Sequence, residues 1–163
     1  MHPDTTTSRV KTVVLTAAAV AALDQATKAA VLACFAPGES VAVVPGFFDL
    51  CLVLNRGAAW GILAGRRVLL VAVSAAMLAL LWFSRRDLGS TRAGRVASGL
   101  LGGGIVGNLI DRAFRGEVVD FLDFHIGREW SWPAFNAADS AICIAVAILL
   151  IGQGVEAWFQ NRR

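Results

Sequence analysis

Four apolar runs, separated by polar, basic or glycine-rich connections, set the pattern of the chain. The first, Thr12 to Phe35, is interrupted only by Asp24 and Lys28. The second, Val68 to Ser84, holds 17 residues without a charge and closes on Arg85-Arg86. After a basic loop, the third extends from Val96 to Ile110 and ends at Asp111-Arg112, and the fourth starts near Pro133 and reaches about Trp158. A helix needs ~20 mostly apolar residues to cross hydrocarbon. The runs therefore predict an all-α integral membrane protein with four transmembrane helices over about 12–35, 68–84, 96–112 and 133–158, in one domain spanning 1–163.

The connections differ from one another. Between Ala36 and Arg67, Pro37, Gly38, Pro45, Gly46, Gly57, Gly61 and Gly65 punctuate two short β-rich runs, Val41 to Val44 and Phe47 to Leu54. This predicts a small extramembrane sheet over about 40–64 with Pro45-Gly46 as a turn, and its Phe47, Phe48 and Trp60 suit a membrane interface. The segment from Phe121 to Pro133 reads as an interfacial loop or helix. Within the third run, Gly99, Gly103 and Gly107 recur every four residues, a small-residue face for close helix packing. The same stretch spells G-x-G-x-x-G at Gly102, Gly104 and Gly107, but no strand precedes it and no βαβ context surrounds it, so a dinucleotide site is discounted. A secretory signal peptide competes for the N-terminus, with Val13 to Leu23 as its apolar region and Ala19-Val20-Ala21 as its small-x-small triplet. The apolar sequence continues past that point for another helical turn or more, which favours a span.

Composition agrees with the pattern. Of 163 residues, 56% are hydrophobic and 17% charged, and the mean hydropathy is +0.63, which excludes an ordinary soluble domain. The net charge of +3 is dispersed between apolar runs, so nucleic acid is not an expected partner and the charge is read as topology. Four spans place both termini on one side, with eight Lys and Arg residues there against seven on the other. That bias favours cytoplasmic termini. Trp82 and Trp158 then mark inner helix ends, and Trp60, Trp130 and Trp132 lie at the outer interface.

Two carboxylates stand out against this background. Asp139 is the only charged residue between Ser131 and Val155, and because its desolvation is costly an ionisable group in such a run is a candidate functional residue. Asp120 lies in the segment after the third span. Asn136 and Asp139 are spaced i, i+3 and share a face of the fourth helix, as do Asn108, Asp111 and Arg112 near the end of the third. If these faces meet, two carboxylates in a low-dielectric site cannot both ionise easily, so one keeps a proton while the other stays charged. An aspartic peptidase uses that asymmetry: the ionised acid takes a proton from the attacking water and the protonated one polarises the carbonyl. Paired intramembrane acids also serve proton relays and cation binding, so a four-helix carrier or an inactive binding relative stands as the alternative. Asp24 and Lys28, at i, i+4, are expected to form a structural ion pair.

Other polar residues are read as bystanders. Asp123 is taken as a solvated loop acid. His125 has no companion at ligand spacing, so no metal or organic cofactor is expected. Cys34 and Cys51 are placed on the outer side, where they either pair or pack, and Cys143 is a small helix residue.

Five blocks, DQATK (Asp24 to Lys28), NRGAAWG (Asn55 to Gly61), GNLIDR (Gly107 to Arg112), GEVVDF (Gly116 to Phe121) and FNAADSAI (Phe135 to Ile142), resemble the lipoprotein signal peptidases in order and spacing. The resemblance implies a four-helix aspartyl peptidase of the bacterial cytoplasmic membrane, with a small extracytoplasmic β-cradle and its site near the outer face. It implies removal of the signal peptide from diacylglyceryl-modified prolipoproteins, just before the lipidated cysteine. By motif position Asp120 and Asp139 correspond to the catalytic dyad. Asn55, Asn108, Arg112 and Asn136 correspond to the substrate pocket, where globomycin-type inhibitors also bind. Asp24, Lys28, Gly57 and Asp111 match motif positions expected to be structural. The segments from Gly57 to Gly65 and from Phe121 to Pro133 are candidates to close over the peptide.

Overall fold

A computed structural model of the protein describes residues 5–88, 90–127 and 129–160, and their side chains except those of 5–7, 59, 86–87 and 153–160. The expected interface role of Trp158 and the charges of Asp4, Arg86, Asp87, Arg128, Glu156, Arg162 and Arg163 therefore fall outside the described residues or side chains.

Helix α1 runs unbroken from Thr5 to Cys34, straight through the small-x-small triplet of the competing leader reading. Strands β1 (Ser40–Val44) and β2 (Phe48–Asn55) follow, then a helical turn at Ala59–Gly61 and α2 (Arg67–Phe83). The short α3 (Arg85–Leu88) leads into α4 (Arg92–Ile110), whose N-terminus is capped by the Thr91 hydroxyl accepting from Gly94 N at 2.9 Å. The chain then widens into a π turn, Asp111–Arg115, before β3 (Val118–Ile126), β4 (Trp130–Ser131) and α5 (Ala137–Gln160). Gly116 ends the π turn at φ +89°, a left-handed conformation natural to glycine, and its N–H donates to the Asp111 carbonyl at 3.0 Å.

The four strands form one antiparallel order, β1-β2-β3-β4. The expectation of a loop or helix over 121–133 is corrected here, because most of its first half is strand β3. Asp120 and Asp123 interrupt the apolar alternation that marks a strand in sequence. What holds the segment extended is pairing to distant partners: Val53 opposes Asp120, Asn55 opposes Val118, and Phe135 exchanges hydrogen bonds of 2.8 and 3.0 Å with Leu122. The same pairing moves the start of the last helix from Pro133 to Ala137. Cys34, Cys51 and Cys143 are all free, so Cys34 and Cys51 do not form a disulfide. Burial, with the charges of Asp123, Asp120 and Asp49, pushes the Cys51 thiol up to about 11, and it packs as a neutral residue.

The helices assemble on the glycines of α4. A Cβ on Gly99 would lie 2.5 Å from the Cβ of Thr16, one on Gly103 2.6 Å from the Ala17 carbonyl, and one on Gly107 would overlap an Asp24 carboxylate oxygen. The glycine face thus seats α1 at backbone contact, as its period of four predicts. Gly104 meets Ala138 and Ile142 of α5, and Gly102 meets Leu81 of α2, so the G-x-G-x-x-G string is helix interior used for packing. The polarity is inverted relative to a soluble protein. Asp24, Lys28, Asn108, Asp111 and Asn136 are buried between helices, while Val68 (82% exposed), Phe83 (76%), Leu15 and Ile151 face outward. Ser8–Cys34 is long and apolar enough to cross a membrane, whereas Arg67–Phe83 and Ala137–Gly152 are shorter apolar helices.

Candidate active site

The site forms where the inner end of the sheet meets the ends of α1, α4 and α5. Asp120, on β3, is 2% exposed. Each of its oxygens accepts one amide: Asn136 Nδ2 donates to Oδ1 at 2.7 Å and Asn55 Nδ2 to Oδ2 at 3.0 Å. Asp139, half-buried in the first turn of α5, accepts from Asn108 Nδ2 at 2.7 Å on Oδ1 and from the backbone N–H of Asn136 at 3.3 Å on Oδ2. A single residue, Asn136, therefore joins the two carboxylates.

Asn136 does so from a position that corrects the expectation from spacing. The i, i+3 pattern puts it on the face of the fourth helix, yet it precedes α5 as the N-cap. Its Oδ1 accepts from Asp139 N at 3.0 Å while Asp139 Oδ2 accepts from Asn136 N, a reciprocal capping box. The signal is present in the sequence as N-x-x-D before an apolar run.

Asn55 Oδ1 accepts from Gly57 N at 2.9 Å, so one side chain both turns the chain after β2 and binds Asp120. A Cβ on Gly57 would lie 2.8 Å from backbone atoms of Gly61 and Ile62. Arg112 reaches in from the π turn, donating from Nη2 to the Gly57 carbonyl at 3.2 Å, and its buried Nε has no hydrogen-bond partner among the described residues. Beyond the site, Trp60 and Trp132 meet edge to face with centroids 5.3 Å apart, linking the 57–65 segment to the 130–132 segment.

Electrostatics set Asp120 apart from an ordinary carboxylate. Burial pushes the Asp120 carboxyl up from 3.8 to about 7, with the Asp139 charge acting in the same direction and the amides of Asn55 and Asn136 and the Lys28 cation acting against it. Desolvation outweighs two hydrogen bonds here.

Asp24, Lys28 and Asp111 lie directly behind the pair and are fully buried. Lys28 Nζ is 2.8 Å from Asp24 and 2.7 Å from Asp111. The i, i+4 spacing predicts the first contact; the second joins α1 to the π turn and has no local signature. Sequence reasoning misses two members of this cluster. Gln25 donates to Asp24 and Asp111 at 3.2 and 3.1 Å, and Arg115 pairs with Asp111 and donates to Gln25 Oε1 at 2.8 Å. The i, i+4 spacing of Asp111 and Arg115 is the available clue. Asp123 is a half-buried strand residue, correcting its reading as a loop acid, and accepts from Ser131 Oγ at 3.1 Å. His125 lies 3.8 Å from Asp49.

Inward-facing polar groups at one end of a glycine-packed bundle, with two aspartates each hydrogen-bonded to asparagines beneath a small sheet, fit a membrane-embedded aspartic peptidase. The chain belongs to the signal peptidase II family: the family model described as Signal peptidase (SPase) II matches residues 16–154. The lipoprotein signal peptidase of Syntrophotalea carbinolica is 48% identical over 143 residues, covering 85% of this chain and 88% of that protein. That of Paraburkholderia phymatum is 46% identical over 134 residues, covering 80% of each. Among solved structures, a bacterial membrane enzyme determined in meso at 2.3 Å superposes with a TM-score of 0.83 at 35% identity, covering 91% of this chain and 90% of that one. A second, at 1.9 Å, gives 0.78 at 36% identity, covering 88% and 93%.

Proposed function

We propose that this peptidase removes the signal peptide from diacylglyceryl-modified prolipoproteins, cutting just before the lipidated cysteine, with Asp120 and Asp139 as the catalytic dyad. The observation that carries the reading is the arrangement of a buried and a half-buried carboxylate on either side of Asn136, the buried one pushed up to about 7. Asp120 is the member that holds the proton and polarises the scissile carbonyl. Asp139, the less buried of the two and an acceptor from Asn108 Nδ2 and the Asn136 backbone N–H, is the ionised member that takes a proton from the attacking water. The hydrogen then passes to the leaving amine as the tetrahedral intermediate collapses.

Asn55, Asn108, Arg112 and Asn136 line the substrate pocket in this reading, and globomycin-type inhibitors compete there. The unpartnered Nε of Arg112 supports such a role, since a peptide carbonyl would satisfy it. Asp24, Lys28 and Asp111 support the site from behind, and Gly57 has a structural role in the turn after β2. The chain acts as one membrane-embedded domain over 1–163, with four spans, both termini cytoplasmic, and the site near the outer face of the bacterial inner membrane, where the acyl chains of the substrate hold the scissile bond at interface depth. The 57–65 and 130–132 segments, joined through Trp60 and Trp132, close over the bound peptide.

The test is cleavage of a purified diacylglyceryl-modified prolipoprotein by wild type, Asp120→Asn and Asp139→Asn. Wild type is expected to cut, and each variant to lose at least ~10³-fold in kcat with folding retained. Turnover at the wild-type rate in either variant would end the dyad assignment.

A further inference from the structure

Lys28 does more than neutralise its neighbours. Its ammonium has three N–H donors, and all three are used: Asp24 Oδ2 at 2.8 Å, Asp111 Oδ2 at 2.7 Å and Asn108 Oδ1 at 2.9 Å. Each of those partners grips the dyad at a different point. Asp24 Oδ1 accepts the backbone N–H of Ala138 at 3.0 Å, the residue before Asp139. Asp111 Oδ2 accepts the backbone N–H of Val119 at 3.3 Å, the residue before Asp120. Asn108 takes the ammonium on its oxygen, which leaves its NH2 group for Asp139 Oδ1 at 2.7 Å. An ammonium can only donate, so the Asn108 amide has one orientation available.

We propose that Lys28 is a positioning residue for peptide cleavage: it sets the separation of the two aspartates by holding the backbone ahead of each, and it orients the amide that binds Asp139. The proposal rests on Asp120 and Asp139 being the dyad. A cation that served only to balance Asp24 and Asp111 would not need its third donor on Asn108. It would also not need both carboxylates to hold the residues flanking the site. Gln25 donates to Asp24 and Asp111, and Arg115 pairs with Asp111, on the far side of the cluster.

The test uses the full-length enzyme in lipid with the lipidated prolipoprotein substrate. Lys28→Met alone leaves a buried carboxylate uncompensated and is prone to misfold. Combining Asp24→Asn with Lys28→Met keeps the charge balance, and the carbonyl oxygen of the amide introduced at position 24 still accepts from Ala138 N. In that double variant kcat is expected to fall on the order of 10²-fold, as for a displacement of about 1 Å at a reacting group, with KM within about twofold of wild type. A folded double variant with wild-type kcat overturns the proposal. Independently of any variant, solid-state NMR of the wild-type enzyme is expected to show a through-space correlation between Lys28 Nζ and Asn108 Cγ, and its absence overturns the proposal as well. Asp120→Asn and Asp139→Asn, assayed alongside, separate the two ideas. If those variants are inactive and the double variant is not, the dyad stands and the positioning role falls; if either cleaves at the wild-type rate, the dyad itself falls.

Discussion

Near neutral pH the Asp120 carboxyl lies close to half-protonated, because burial and the Asp139 charge outweigh the amide donors on its two oxygens. With Asp120 as the proton-holding member, kcat/KM is expected to fall as pH rises through about 7, and a pH–rate profile on the lipidated substrate checks this. The same residue makes a stability statement. Its folded-state pKa lies above the unfolded value, so the folded state binds the extra proton between 3.8 and about 7. Its contribution to stability is complete below that window and lost as pH rises through it. The thermal midpoint of wild type in detergent should decline across this range, and Asp120→Asn should flatten the decline; equal slopes would show that Asp120 titrates as an ordinary carboxylate. Asp120 and Asp139 are both legible in the sequence as acids that apolar surroundings make costly. The environment that raises Asp120 is not, because it comes from β2, β3 and the segment before α5, which meet only in the folded chain.

The elements follow local rules where the partners are local. The period of four in Gly99, Gly103 and Gly107 identifies the face of α4 that receives α1, since backbone-to-backbone contact leaves no room for a Cβ. Gly103→Val is expected to destabilise the protein by at least ~1–3 kcal/mol, because the added carbons meet the Ala17 carbonyl and Val20, neither of which is free to yield. Gly152→Ala, with open space around its position in α5, should be neutral or stabilising by up to ~1 kcal/mol. Thermal denaturation of the two variants in the same detergent decides it, and comparable midpoints would refute the packing account. Strand β3 shows the opposite case. Two aspartates break its alternation, and its extended form depends on ladders to residues 48–55 on one side and on β4 and Phe135 on the other. Propensity alone could not place it.

At the scale of the whole molecule, apolar side chains on the exterior around buried polar groups fit a membrane enzyme, and the buried polar groups gather at one end of the bundle. The proposed orientation, with cytoplasmic termini, puts Cys34 at the outer end of α1 and leaves it exposed. A membrane-impermeant maleimide added to intact spheroplasts is therefore expected to label Cys34, identified by mass spectrometry. Labelling of Cys34 only after lysis would reverse the topology.

The sequence by itself determined the apolar runs, the glycine face of α4, the ion pair of Asp24 with Lys28, and the residue types of the site, because each is set by neighbours within about one helical turn. The tertiary structure alone decided that Asn136, besides capping α5, bridges both aspartates, that β3 is a strand, and that one buried lysine reaches the three residues that hold the pair. Those relations join positions 24–28, 108–111, 119–120 and 136–139. They depend on how helices and sheet close around a buried charge whose donors must all be satisfied, a condition that belongs to the assembled interior and leaves no periodic trace along the chain.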